Sequence, residues 1–404
     1  MSKNICVIGG GAAGMMAAII ATRQGKKVRI IEHKEKAGKK ILATGNGKCN
    51  FTNMLVDNSS FRGENIDYIM DIYNQFNNEK AIEFFKELGI YPKVKNGYVY
   101  PNSGQASSIL EVLITELDYL GVKIEYETNV TKIEKNNDQF CIYTNKGNFK
   151  SNSIILATGS MASPKTGSDG SGYKLAKELG HTLNPVLPAL VQLRSDSKLF
   201  KEVAGVRCDG MVKIMLEREC VASDKGELML TDYGISGIPV FQVSRYASVL
   251  LNQGKKIIAR LDFLPNMEYK ECKEYLKERA RLYPDKSLMD NLVGLLNKKL
   301  LLALLKSIKL NPNMPSYELD DKKILKLIDT FKNLAVNITG TNSFDNAQIC
   351  CGGVKLSELN EHTLESKKQK GLFFAGEILD VDGICGGYNL QWAWSSGYVC
   401  GINC

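Results

Sequence analysis

At 404 residues, with 44% hydrophobic and 24% charged side chains, the chain can bury a large core and has room for two or three domains. Its 52 Lys and Arg against 44 Asp and Glu leave a charge of +8, mild for this length, so nucleic-acid binding is not implied. Eleven scattered cysteines without a C-x-x-C, and three well-separated histidines (His33, His181, His362), point to reduced thiols in a cytoplasm and away from a metal centre.

Residues 4–32 read as a nucleotide-binding βαβ unit. An apolar strand over 4–8 runs into the G-x-G-x-x-G turn of Gly9, Gly11 and Gly14, then a helix over about 12–24 and a second strand over 28–31 that ends in Glu32. Gly9 permits the tight turn, Gly11 leaves room for a pyrophosphate, and Gly14 lets the helix approach its strand. The helix start at Ala12 and Ala13 aims unpaired N–H groups at the phosphates. Glu32 is placed to accept from a ribose and would repel a ribose phosphate, so FAD or NAD is expected rather than NADP. The uncharged run 5–22 could instead be a signal peptide or anchor, but Gly9, Gly10, Gly11 and Gly14 interrupt it and a strand with a terminal acid follows.

The loop 38–53, with Lys39, Lys40, Lys48, Gly45, Asn46, Cys49 and Asn50, offers N–H donors and positive charge to an anion; a solvated turn is the alternative, but its place directly after the ribose-binding strand favours a cofactor loop. Apolar spacing predicts helices over 67–88 and 106–120. Alternating stretches at 123–126, 130–133 (beginning at Val130) and 140–143 read as a small β-meander. A buried strand over 153–156 ends in Ala157, Thr158 and Gly159, small residues suited to close passage by a ligand. A helix over about 173–179 follows.

Composition changes near Pro185 and Pro188. Residues 190–264 read as strands and turns, and residues 268–332 as charged helices with solvated faces. The apolar run 300–306 is too short to span a membrane. A last parallel strand over 372–375 leads through Gly376, Glu377 and Asp380 to Gly386 and Gly387, which open a helix over 388–399 beginning Tyr388, Asn389 and Leu390. The expected fold is α/β: a Rossmann-like FAD-binding domain assembled from both chain ends (1–188 and 337–404), with an inserted β-rich part (189–265) and a helical part (266–336).

A parallel sheet would bring the fingerprint, the 157–159 turn and the 372–399 stretch to one edge. FAD suits that arrangement better than NAD, with its ADP half on the fingerprint and Glu32, Asp380 near the ribityl or pyrophosphate, and the helix after Gly387 facing the charge of a reduced flavin. No second G-x-G-x-x-G occurs, so NAD(P)H, if it is the electron donor, has to visit the substrate site transiently.

The segments VIGGGAAG, GKKILATGNGKCNFTN, LATGSMASPKTGSDGSGY, GELMLTDYGISGIPVFQVSR, GGVKLSEL and GLFFAGEILDVDGICGGYNLQWAWSSG together resemble the BaiN/YhiN-like flavoproteins, to which bacterial aminoacetone oxidase is also similar. Lys48 stands where that family more often carries Arg, keeping the charge but losing a bidentate fork. The resemblance implies non-covalent FAD and one of two reactions: hydride transfer between NAD(P)H and a conjugated carbonyl such as a steroid acid, or oxygen-dependent amine oxidation. A flavin-containing RNA-modifying or redox-controlled binding protein is the reading from another class. Tyr388 and Tyr233 are the candidate catalytic residues, with Asp232 and Ser236 as further cavity residues implied by the resemblance. Cys49 could attach flavin or act in redox chemistry, though a packed thiol is the simpler expectation. A small-molecule substrate is expected, with no metal, membrane or nucleic-acid partner, and the oligomeric state is open.

Overall fold

The computed structural model describes residues 3–404, which divide into two compact units. One takes the chain up to Leu187 and again over Gln348–Cys404; the other is Pro188–Ala347. Among the described residues no helix is long and apolar enough to cross a membrane, and no group of His, Cys, Asp or Glu could hold a metal ion.

The first unit is built on a five-stranded parallel sheet, ordered Leu372–Phe374, Ser153–Leu156, Asn4–Ile8, Lys27–Ile31, Lys123–Glu125. Its central strands are apolar on both faces, with Val7, Ile154, Ile155 and Leu156 fully buried, the pattern of a sheet covered on both sides. Two helices buried nearly all round, Ala12–Arg23 and Tyr388–Asn403, lie against each other. Glycine makes that approach possible: a Cβ on Gly397 would stand 2.5 Å from the Ala13 carbonyl oxygen, and one on Gly401 2.8 Å from that of Ala17.

Two local expectations change. The helical stretch 67–88 is two helices, Ile66–Gln75 and Asn78–Glu87, because Asn65 and Asn77 each cap a new start by accepting from Tyr68 N (3.1 Å) and Lys80 N (3.0 Å). Lys123–Glu125 is not part of the meander but the parallel edge of the main sheet, beside Arg29–Ile31. The antiparallel group is instead Val130–Asn136, Gln139–Thr144 and Gly147–Ser151.

The second unit is a closed six-stranded barrel of Leu193–Ser195, Gly234–Ser236, Glu219–Thr231, Arg207–Leu216, Ile257–Asp262 and Leu334–Thr341. The all-strand reading of 190–264 missed the helix Ile238–Asn252, which packs one face on the barrel through Val240, Val243 and Ala247. The expected divisions at 265/266 and 336/337 are also corrected. The helices after 268 bury Leu276, Leu300, Leu304, Ile328 and Phe331 in the same cluster as barrel residues Val212, Ile257 and Ala259. Leu334–Thr341 closes the barrel, so the return to the first unit comes at Gln348.

A buried clasp secures the approach to the last parallel strand. His181 places Nδ1 3.0 Å from Glu358 Oε2 and Nε2 2.7 Å from Ser366 Oγ. Thr182 Oγ1 (2.6 Å) and Lys368 Nζ (2.7 Å) donate to Glu358 Oε1. Burial lowers the His181 pKa below 6.5 against the pull of Glu358. Burial alone would raise Glu358, but the Lys368 and Thr182 hydrogen bonds bring it down to about 2. Both groups bind protons more readily when unfolded, so both cost stability in acid: His181 as pH falls below 6.5, Glu358 as pH falls from 4.5 toward 2. In thermal melts across pH, the stability gap between wild type and Glu358→Gln should be full above 4.5 and shrink below it; a gap constant down to pH 3 would contradict this role.

Candidate cofactor and active site

The turn after Ile8 separates the tasks of its three glycines. Gly9 has φ +105°, and a Cβ there would lie 2.4 Å from the Ala157 carbonyl oxygen. A Cβ on Gly14 would lie 1.9 Å from the Gly9 oxygen, so helix and turn touch backbone to backbone. Gly11 is different: its φ is −83°, and a Cβ would meet nothing within 4 Å. No protein atom requires glycine there. The opening suits a group approaching the helix start, which has no side-chain cap and turns its first N–H groups outward.

Glu32 borders this opening. Its Oε2 accepts from Gly10 N and its Oε1 from Lys34 N, each at 2.8 Å, leaving lone pairs for ribose hydroxyls. Thr128 N donates to the Glu32 carbonyl at 3.0 Å, which carries the segment leading to Val130 alongside. Two buried polar atoms here have no hydrogen-bond partner, His33 Nε2 and Thr158 Oγ1. An unsatisfied buried group costs about 1–3 kcal/mol, and a polar ligand on this rim would relieve it.

The strand ends converge as the sheet order requires. A Cβ on Gly376 would stand 2.8 Å from Ala13 Cβ. Gly376 N donates to Ser396 Oγ (2.9 Å) and its carbonyl accepts from Trp392 Nε1 (3.2 Å), which fixes the last strand end to the C-terminal helix. Glu377 Oε2 accepts from Lys40 Nζ (2.6 Å) and Ser160 Oγ (3.1 Å), tying the lysine-rich loop, the turn after Gly159 and the last strand together. Lys40 is thus engaged by a carboxylate. Ser160 was absent from the sequence candidates, although it directly follows Gly159. Asp380 is buried and accepts from Asn184 Nδ2 at 2.6 Å.

In the loop, Gly45 and Asn46 are left-handed in succession (φ +56° and +53°) and exposed, as is Lys48. Asn50 Oδ1 accepts from Val99 N at 3.1 Å. Gly387, φ +92°, opens the C-terminal helix without a side-chain cap and packs on the Thr52 carbonyl and Asn50 Oδ1, each within 2.9 Å of where its Cβ would be. Asn389 folds back, its Oδ1 accepting from Gly383 N (2.8 Å) and its Nδ2 donating to Gly383 O (3.0 Å); Leu390 packs against the core.

Of the candidate catalytic pair, Tyr388 is 7% exposed, sits edge-on to Phe61, and donates its hydroxyl to the Leu55 carbonyl at 2.7 Å. Burial raises its pKa. That hydroxyl holds the Leu55 carbonyl, so this candidate catalytic group already has a structural partner. Tyr233 belongs to the barrel unit, with Arg194 5.3 Å over its ring and its carbonyl accepting from Ser195 N at 2.9 Å. Asp232 beside it is exposed and Ser236 is buried.

A sequence model described as the HI0933-like protein Rossmann domain matches residues 3–403. The chain belongs to the HI0933-like family. Over 401 residues, 99% of this chain and 98% of the relative, it is 45% identical to the 3-dehydro-bile acid delta(4,6)-reductase of Clostridium scindens. It is 31% identical over 409 residues to the ribosomal RNA dihydrouridine synthase of Haemophilus influenzae, covering 100% and 98% of the two chains. The protein of the same description in Escherichia coli is 30% identical over 398 residues, 98% and 96% of the two chains. The likeness to BaiN-like flavoproteins seen in the motifs therefore runs the length of the chain, and with it the α/β Rossmann fold. FAD is the cofactor of this HI0933-like cradle, and the opening at Gly11, the Glu32 carboxylate and the two orphaned polar atoms all fit it.

Gly11→Ala should fold, and as apoprotein melt, as wild type does while binding FAD at least roughly tenfold more weakly, because the added methyl crowds only the cofactor. Equal FAD affinity, read by flavin absorbance titration of the apoprotein, would contradict that placement. Cys49 is fully buried, and burial pushes its thiol up to about 12, so the reactive thiolate is suppressed. After denaturation and filtration all the yellow colour should leave the chain; colour retained by the protein would mean a covalent flavin.

Proposed function

We propose that this chain is an FAD-dependent reductase that saturates a carbon–carbon double bond conjugated to a carbonyl, with 3-oxo steroid acids as its substrate class and NAD(P)H as hydride donor. The observation that carries this reading is 45% identity across 99% of the chain to a 3-dehydro-bile acid delta(4,6)-reductase. That substrate description denotes a ketone conjugated to ring double bonds. Reducing uridine to dihydrouridine, the reaction named for the relatives at 31% and 30%, also saturates a double bond conjugated to a carbonyl. Reaction class is thus common to the named relatives, while the substrate differs.

FAD, when bound, supplies hydride transfer through its N5 position. The chain supplies binding and electrostatics: Gly11 and the fingerprint helix for the pyrophosphate, Glu32 for the ribose, and the uncapped start of the C-terminal helix for developing negative charge. Lys40 and Glu377 hold three of the converging segments in register. With no second nucleotide fingerprint in the sequence, NAD(P)H is assigned to the substrate opening, alternating with the ketone.

A second reading has its own support. The two relatives named as ribosomal RNA dihydrouridine synthases match nearly end to end, so uridine in ribosomal RNA is the alternative substrate. Anaerobic mixing separates the readings. NADH or NADPH should bleach the flavin, and a 3-oxo-4,6-diene steroid acid should restore its colour with loss of the dienone absorbance. Reoxidation only by ribosomal RNA, with dihydrouridine formed, would move the assignment to the second reading. Bleaching by amines alone would overturn both.

A further inference from the structure

The strand Tyr98–Pro101 runs beside the segment that carries Cys49 and Asn50. Strand alternation decides where they point. Val99 is fully buried, its N–H donated to Asn50 Oδ1 (3.1 Å) and its carbonyl accepting from Phe51 N (3.0 Å). Tyr98 and Tyr100 therefore share the other face, and both are half-buried. Tyr98 reaches the entry of the C-terminal helix, since a Cβ on Gly386 would stand 2.9 Å from its Cε1. Tyr100 reaches the lysine-rich loop, since a Cβ on Gly45 would stand 3.7 Å from its Cε1. The two rings thus bridge the helix entry and the loop, both of which carry candidate cofactor residues.

Other tyrosines of this region spend their hydroxyls on the protein. Tyr388 donates to the Leu55 carbonyl (2.7 Å) and Tyr73 to Asn78 Oδ1 (2.8 Å). The hydroxyls of Tyr98 and Tyr100 have no hydrogen-bond partner among the described residues. Burial, and then the neighbouring Tyr98, raise the Tyr100 pKa, so that phenol remains a donor. Beside Tyr98 is an apolar shoulder. Met54 N donates to Gly97 O (2.7 Å), and Leu55 is 70% exposed, with its Cδ1 3.2 Å from where a Gly97 Cβ would be. O–H donors on one strand face next to exposed apolar side chains suit a carbonyl on an apolar skeleton better than a nucleotide base on a charged backbone.

We infer that Tyr98 and Tyr100 are carbonyl-binding residues of the substrate site, donating their phenolic O–H groups to the oxygen of a conjugated ketone. The inference rests on the reductase reading above and deepens it. When a hydride adds its electron pair to the β-carbon, the double-bond pair shifts toward the carbonyl and the oxygen gains negative charge as an enolate. A proton from water then joins the α-carbon and the carbonyl re-forms; the nicotinamide is the species oxidised. O–H donors carried by one strand stabilise the enolate oxygen more than the neutral ketone.

The test uses the full-length, FAD-loaded chain and its Tyr98→Phe and Tyr100→Phe variants. Without reductant, flavin absorbance is titrated with a 3-oxo-4,6-diene steroid acid and with the same skeleton lacking the 3-oxygen. Each variant should keep its FAD content and weaken ketone binding roughly five- to tenfold, leaving the deoxygenated analogue unchanged. Equal weakening for both ligands would make the rings packing surfaces, and no change would remove them from the site; either result overturns the assignment. If wild type reduces the ketone and the variants do so equally well, only this assignment falls. If wild type neither binds nor reduces it, the reductase reading falls and takes the assignment with it.

Discussion

The arrangement depends on one close contact between distant parts of the chain, the packing of the C-terminal helix on the fingerprint helix. Gly397 and Gly401, four residues apart on one helical face, let their backbone approach the carbonyls of Ala13 and Ala17. A side chain at either position would push the helices apart. That contact sets Gly376 against Ala13 and, with Gly397 level with Ala13, carries the start of the second helix well beyond the start of the first. The nucleotide cradle and the redox end of the site are thus fixed by helix proximity rather than by a single loop.

Electrostatics at the site are mostly committed to holding it together. Lys40, which sequence alone offers as an anion ligand, is paired with Glu377, and Glu377 also takes the Ser160 hydroxyl. Charge-assisted hydrogen bonds between three segments resist separation better than an isolated surface pair, although the partly exposed side chains limit their worth. Attraction for a phosphate is then left largely to backbone N–H groups at helix starts. Such groups are fixed by the fold and need no reorganisation when a ligand arrives.

The parallel core was legible because its signals are local: glycines with a steric reason, apolar runs of strand length, and an acid at a strand end. Lys123–Glu125 was misread because a short alternating stretch looks the same in a meander and at a parallel edge; only its neighbour Lys27–Ile31 decides. The helix Ile238–Asn252 did carry a signal, Gly237 followed by Pro239 in its first turn, lost among surrounding strands. The commitments of Tyr388, Lys40 and Asn389 link residues remote in sequence or folded back on a loop, and no periodicity reports them. Tyr98 and Tyr100 escaped for a related reason: their face is defined by Asn50 and Phe51, which grip Val99 between them.

The interruption of the first unit by Pro188–Ala347 has a consequence for synthesis. As the chain emerges, the fingerprint, Glu32 and the Ser153–Leu156 strand come first, but the sheet then lacks its Leu372–Phe374 edge. The barrel unit, contiguous in sequence, can collapse before the earlier unit is whole. Until the residues after Gln348 appear, the fingerprint helix has an uncovered apolar side and the nascent protein has half a cradle. Cofactor capture therefore waits for the residues after Gln348, and the same segment that completes the binding site also covers the apolar side of the fingerprint helix.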